Sequence, residues 1–153
     1  MKLKRLLIIY HSQSGAAGKL AQAVASGASA ETSIEFRLCM ALAAGLTELL
    51  WADGLIVVTP ENFGSMSGAV KDFFDRTFYP AQKYKINIPY MIVVSAGNDG
   101  SGAVSQLQRI CKGYPMKQVG EPVIIRGKPD VEDIEMAVEL GQAMATGLAI
   151  GIF

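Results

Sequence analysis

Four short apolar runs govern what this chain can fold into. They are Leu6-Leu7-Ile8-Ile9-Tyr10, Leu55-Ile56-Val57-Val58, Met91-Ile92-Val93-Val94 and Val123-Ile124-Ile125. Each is rich in β-branched residues, and none alternates with polar ones. A strand that is apolar on both faces belongs in a parallel sheet covered by helices on both sides. A fifth, weaker strand runs from Thr32 to Leu38, where Ile34, Phe36 and Leu38 alternate with Glu35 and Arg37. One wet face fits a sheet edge.

Helical patterns fill the gaps. Ser14 to Ser26 is alanine-rich, with Leu20 and Val24 on one stripe. Ser67 to Phe78 spaces Val70, Phe73, Phe74, Thr77 and Phe78 for burial. Its other face sets Lys71 against Asp75 and Asp72 against Arg76 at i,i+4. Thr47 to Trp51 and Ala103 to Lys112 are shorter helices. Asp130 caps a last one carrying Ile134, Ala137, Val138, Met144 and Leu148, although Gly141 and Gly147 count against helix there. Strict β-α alternation predicts a three-layer α/β fold with right-handed crossovers. Five strands favour the sheet order 2-1-3-4-5.

Composition narrows the function. The 153 residues are 50% hydrophobic and 18% charged, which excludes a disordered chain. Length predicts one domain, residues 1–153. Fourteen basic residues balance fourteen acidic ones. Nucleic-acid binding by counterion release calls for a basic excess, so no nucleic-acid partner is expected. Cys39 and Cys111 are too few for a disulfide scaffold and lack metal-ligand spacing. Lys2, Lys4 and Arg5 precede an apolar run that ends at Tyr10, too short for a signal peptide. No stretch reaches membrane-span length. The expectation is a cytoplasmic chain with no membrane partner.

Ligands of open α/β sheets bind beyond the carboxyl ends of the strands. Three loops there are long and rich in Gly, Ser and Asn. The first, His11 to Gly18, offers the Ser12 and Ser14 hydroxyls, a close backbone approach at Gly15, and a helix N-terminus for a phosphate. A plain Ser-capped helix reads the same residues equally well. The second, Thr59 to Gly68, and the third, Ser95 to Gly102, place small residues where a flat polar heterocycle would lie. They read equally as merely mobile loops. Gly15-Ala16-Ala17-Gly18-Lys19-Leu20 is no Walker A loop, because Gln13 replaces its first glycine and Leu20 its Ser or Thr. No G-x-G-x-x-G follows the first strand. A response-regulator site needs acids where Tyr10-His11 and Val58-Thr59 stand.

Ser12-x-Ser14-Gly15 after an apolar strand resembles the flavodoxin phosphate loop. The segment from Thr59 to Asp75 fits T-P-x-x-x-G-x-x-x-G-x-x-K-x-x-x-D. It resembles NAD(P)H-dependent FMN reductases and the tryptophan-repressor-binding-protein-like quinone oxidoreductases. The likeness spans essentially the whole chain and implies a flavodoxin-like fold with FMN as cofactor. It implies that Ser12, Gln13, Ser14, Gly15 and Ala17 hold the phosphate. Pro60, Glu61, Asn62, Phe63, Gly64 and Ser65 would line the isoalloxazine, with Ser95, Ala96, Gly97, Asn98, Asp99 and Gly100 on its other edge. Flavodoxins usually carry Asn and Thr where this chain has Ala16 and Ala17, so two side-chain donors are missing. This chain also lacks the segment that the quinone oxidoreductases insert after the fourth strand.

Three functions compete at this point. The first is an oxidoreductase that takes hydride from NADPH or NADH and passes electrons to a quinone, a flavin or another small acceptor. No side-chain nucleophile is needed for that, and no catalytic acid or base is assigned. The second is a flavodoxin-type electron carrier for a protein partner. Zero net charge and a third loop without aromatics favour the enzyme. The third is a flavin-free interaction module, since fold alone does not carry function. A homodimer is left open. Several single residues keep two readings. His11 either touches phosphate or packs the loop, and Phe63 either stacks on the flavin or is buried against the next helix. Glu61 either contacts the ring or is solvated, and Asp99 shapes a turn. Tyr79, Tyr84 and Tyr114 either rim a substrate pocket or pack ordinarily. Arg126 and Lys128 either meet a nucleotide phosphate or are solvated. Both cysteines are expected to be unreactive.

Overall fold

A computed structural model describes residues 2–153. The apolar runs become β1 (Lys4–Tyr10), β3 (Gly54–Asn62), β5 (Pro89–Ala96) and β7 (Val123–Arg126), and the alternating run becomes β2 (Ile34–Met40). Two short strands join them, β4 (Ser65–Met66) and β6 (Lys117–Gln118). The main sheet is parallel, in the order β2-β1-β3-β5, and both β6 and β7 pair with the outer edge of β5. Taken together, β6 and β7 are one interrupted fifth strand. The order expected for five strands therefore holds, while the strands among the described residues number seven. β4 is the exception in direction: it folds back antiparallel on the end of β3. Two-residue strands carry no periodicity, so the sequence offered no pattern for β4 or β6.

Helices cover both faces, making the three-layer α/β flavodoxin-like fold. α1 (Ala16–Ser29) and α5 (Val131–Ile150) lie on one side. There Leu20, Val24, Met144 and Leu148 pack on Leu6, Ile8, Ile56 and Val58. On the other side, α2 (Leu46–Trp51), α3 (Gly68–Ala81) and α4 (Ser101–Gly113) bring Leu49, Phe73, Phe74 and Leu107 onto Leu7, Ile9, Leu55 and Val57. These strand side chains are fully buried, as the unalternating apolar runs demand.

Gly141 of α5 and Gly27 of α1 have a shared packing reason. A Cβ at Gly141 would run into the Val24 carbonyl, and one at Gly27 into the Val138 carbonyl. α1 and α5 thus cross backbone to backbone. Asp130 caps α5 by accepting from the Asp133 amide at 2.8 Å, and Asp133 returns the bond to the Asp130 amide at 3.0 Å. On α3 both expected ion pairs form, Lys71–Asp75 at 2.7 Å and Arg76–Asp72 at 2.6 Å. Among the described residues no helix is long and apolar enough to cross a membrane, and no cluster of His, Cys, Asp and Glu could hold a metal.

Candidate functional site

β1, β3 and β5 end side by side, with Tyr10 registered on Val58 and Thr59 on Val94. Their loops open on one cavity of about 530 Å³, within the range of roughly 300–1,000 Å³ common for small-molecule sites.

The first loop is built as an anion seat. α1 has Gly15 as its N-cap, at φ 103°, with no side chain capping the helix. The Ser-capped reading therefore fails. Lys19 donates the first helical bond, to the Gly15 carbonyl at 3.0 Å. Among the described residues the amides of Ala16, Ala17 and Gly18 have no partner, and they sit at the helix end, where an anion is stabilised. Ser12 lies behind this turn, where its Oγ accepts from the Gly15 amide at 3.1 Å. Ala16 and Ala17 lack donor side chains, but their backbone N–H groups remain.

The second loop is a tight hairpin. β3 continues to Asn62, and Phe63-Gly64 turns the chain into β4 with φ of 52° and 72°. The Asn62 amide nitrogen donates to the Gln13 side-chain carbonyl at 2.9 Å, tying this loop to the first. Thr59 is buried; its hydroxyl donates to the Pro60 carbonyl and accepts from the Ser67 amide. Glu61 lines the cavity, but its carboxylate is not free in solvent. Its Oε1 accepts from the Gly100 amide at 2.8 Å and its Oε2 from the Ala103 amide at 3.1 Å. The Glu61 carboxylate caps α4 from across the site.

In the third loop, Ser95 and Ala96 end β5, and a Cβ at Gly97 would meet nothing within 4 Å. Asp99 accepts from the Ser101 hydroxyl at 2.6 Å, and that bond holds its carboxyl below the usual carboxylate range. This is the turn role expected of it.

Of the site residues expected from sequence, Gln13, Ser14, Gly15, Ala17, Pro60, Glu61, Asn62, Ser95, Ala96 and Gly97 line the cavity. Ser12 shapes the turn. Asn98, Asp99 and Gly100 form the entry to α4, away from the lining. Phe63 and Gly64 make the hairpin tip, and Ser65 bonds the Gln106 side chain. Phe63 is fully exposed, so the reading that buries it against the next helix is wrong. Ala16, Lys19, Gly127 and Pro129 also line the cavity and were missed, while Lys128 joins them as one of the two cations flagged after the last strand. Residues 127–129 follow the fifth strand position, so the rule that sends ligands to strand ends reaches them too.

The remaining candidates fall elsewhere. Tyr114 is buried and donates to the Phe74 carbonyl at 2.7 Å, so it packs in the core while also lining a second cavity. Tyr79 is exposed on that cavity of about 700 Å³, between α3 and α4 and off the strand ends. The His11 Nδ1 is buried with no partner among the described residues. Burial pushes the Cys39 thiol up, and the Cys111 thiol up to about 12.

Residues 39–129 match the NADPH-dependent FMN reductase family. A flavodoxin of Aquifex aeolicus is 41% identical over 71 residues, which is 46% of this chain and 38% of that protein's length. An archaeal flavodoxin structure superposes with a TM-score of 0.84 at 19% identity, covering 94% of this chain and 98% of its own. A WrbA-like flavodoxin from Agrobacterium tumefaciens gives 0.77 at 20% identity, covering 95% and 97%.

Proposed function

The chain belongs to the NADPH-dependent FMN reductase family as a flavodoxin-like, FMN-binding protein, and on that premise we propose that it is an oxidoreductase using NADPH or NADH. Its electrons go to a small acceptor such as a quinone or a free flavin. We also propose that it acts as one domain, in the cytoplasm.

The observation that carries this reading is a convergence. An uncapped helix N-terminus and two ring-sized polar loops open on the same cavity. The site therefore fits a phosphate at one end and a flat heterocycle at the other. FMN, when bound there, would supply hydride and electron-transfer chemistry between a nicotinamide and an acceptor. The residues supply placement. The Ala16, Ala17 and Gly18 amides, with the Ser14 hydroxyl, would hold the phosphate. Backbone at Pro60, Glu61 and Asn62 would hold one edge of the ring, and Ser95, Ala96 and Gly97 the other. The third loop has no aromatic to lay over the ring, so one face would stay open to a nicotinamide and then to the acceptor.

An electron carrier is the second reading, favoured by the identity with the Aquifex flavodoxin. The balanced charge of this chain weakens it, since no acidic field steers the protein to a basic partner. Mixing the FMN-loaded protein with NADPH or NADH without air separates the two. Loss of the visible flavin bands followed by their return on adding a quinone is the expected result. A bound flavin that ignores both nucleotides, yet is reduced by a reductase protein, would make it a carrier.

A further inference from the structure

The Glu61 carboxylate reaches 39 residues along the chain to Gly100 and 42 to Ala103. α4 has Gly100 as its N-cap, with no side chain of its own to cap the helix. Capping residues normally sit beside the turn they serve. Here the cap comes from the second loop instead. Two further contacts join the same parts. The Ser65 hydroxyl bonds the Gln106 side chain one turn further along α4. A Cβ at Gly102 would strike the Gly64 carbonyl, so the hairpin backbone rests directly on the first turn of α4.

We propose that Glu61 is a positioning residue that fastens the β3–β4 hairpin to the start of α4, so that the loops on either side of the ring are set before the cofactor arrives. This rests on the flavin reading above. Both carboxylate oxygens are engaged, and an anion against a helix N-terminus is favourable, so the fastening uses charge as well as geometry. Glutamine at this position keeps the length but presents an NH₂ to one of two N–H donors. One bond is lost and a donor faces a donor. The hydrogen bond from the hairpin to the phosphate seat at α1 runs from the Asn62 side chain to Gln13, ahead of the helix, so the helix end that forms the seat stays in place when the hairpin loosens.

The test compares three probes on the apoprotein: FMN, riboflavin and inorganic phosphate. In Glu61→Gln, affinity for FMN and for riboflavin is expected to fall by tenfold or more. Phosphate affinity is expected to stay within twofold. Gly102→Ala is expected to show the same ring-selective loss, by pushing the hairpin off α4 while leaving the charge in place. Hydrogen exchange of the unsubstituted apoprotein adds a readout that needs neither variant nor flavin. The Gly100 and Ala103 amides are expected to be protected there, and to exchange faster in Glu61→Gln. Equal loss for all three probes, no loss for any, or rapid exchange at both amides before substitution would overturn the proposal. A protein that binds no flavin at all defeats the functional reading instead, and the exchange result still decides whether the clasp exists.

Discussion

At position 63 a phenylalanine holds φ at 52° while fully exposed. Left-handed backbone costs a side chain of this kind about 1–2 kcal/mol, and nothing buried repays it. A turn with two positive φ values in a row favours Asn-Gly. Phe63→Asn is therefore expected to raise stability by about 1 kcal/mol, read as a higher urea midpoint. An unchanged or lower midpoint would mean that the ring contributes to the fold. The sequence named Phe63 as a site residue but left its environment open. Glu61 was less legible still. Its partners lie some 40 residues away, and no local pattern announces a cap delivered from another loop.

Among the elements, α1 and α5 show where propensity and packing part company. Gly141 weakens a helix on propensity alone, by about 1 kcal/mol against alanine. On that ground Gly141→Ala would stabilise. The Val24 carbonyl stands where the new Cβ must go, so the opposite sign is expected. Overpacking of this kind costs about 2 kcal/mol, which lowers the melting temperature by roughly 4–8 °C in a chain of this length. A rise in melting temperature would show that the crossing is looser than described. The doubly apolar strands were readable because burial on both faces writes itself into consecutive residues. Leu6 through Ile9 and Leu55 through Val58 are all fully buried. The helices at Ser67 and Asp130 were readable through spacing and caps. β4 and β6 were not, because pairs of residues such as Ser65-Met66 have no period to detect. The three site loops were legible through composition and place. Their mutual bonds, Asn62 to Gln13 and Glu61 to α4, exist only once the topology has brought strand ends together.

Across the whole molecule, balanced charge leaves packing and a few buried acids to set the pH response. Burial raises the Cys111 thiol from 9.0 to about 12, and the Tyr90 and Tyr114 hydroxyls from 10.0 to about 12. The folded chain keeps these protons over a range where the unfolded chain releases them. Their contribution is therefore complete below about pH 9 and is lost as pH rises toward 12. Urea midpoints should be level from pH 7 to about 8.5 and fall steadily above 9. A midpoint that holds through pH 11 would contradict the burial of these three groups. The larger claim is that the three loops form a single seat for FMN. The most direct measurement is a titration of the apoprotein with FMN, followed by visible absorbance and flavin fluorescence, beside a Ser14→Asp chain of unchanged melting temperature. Saturable binding at one site per chain is expected, with affinity at least a hundredfold weaker in Ser14→Asp, where a carboxylate meets the phosphate. Flavin bound equally by both chains would contradict the assigned seat, and no binding by either would remove the flavin from the account.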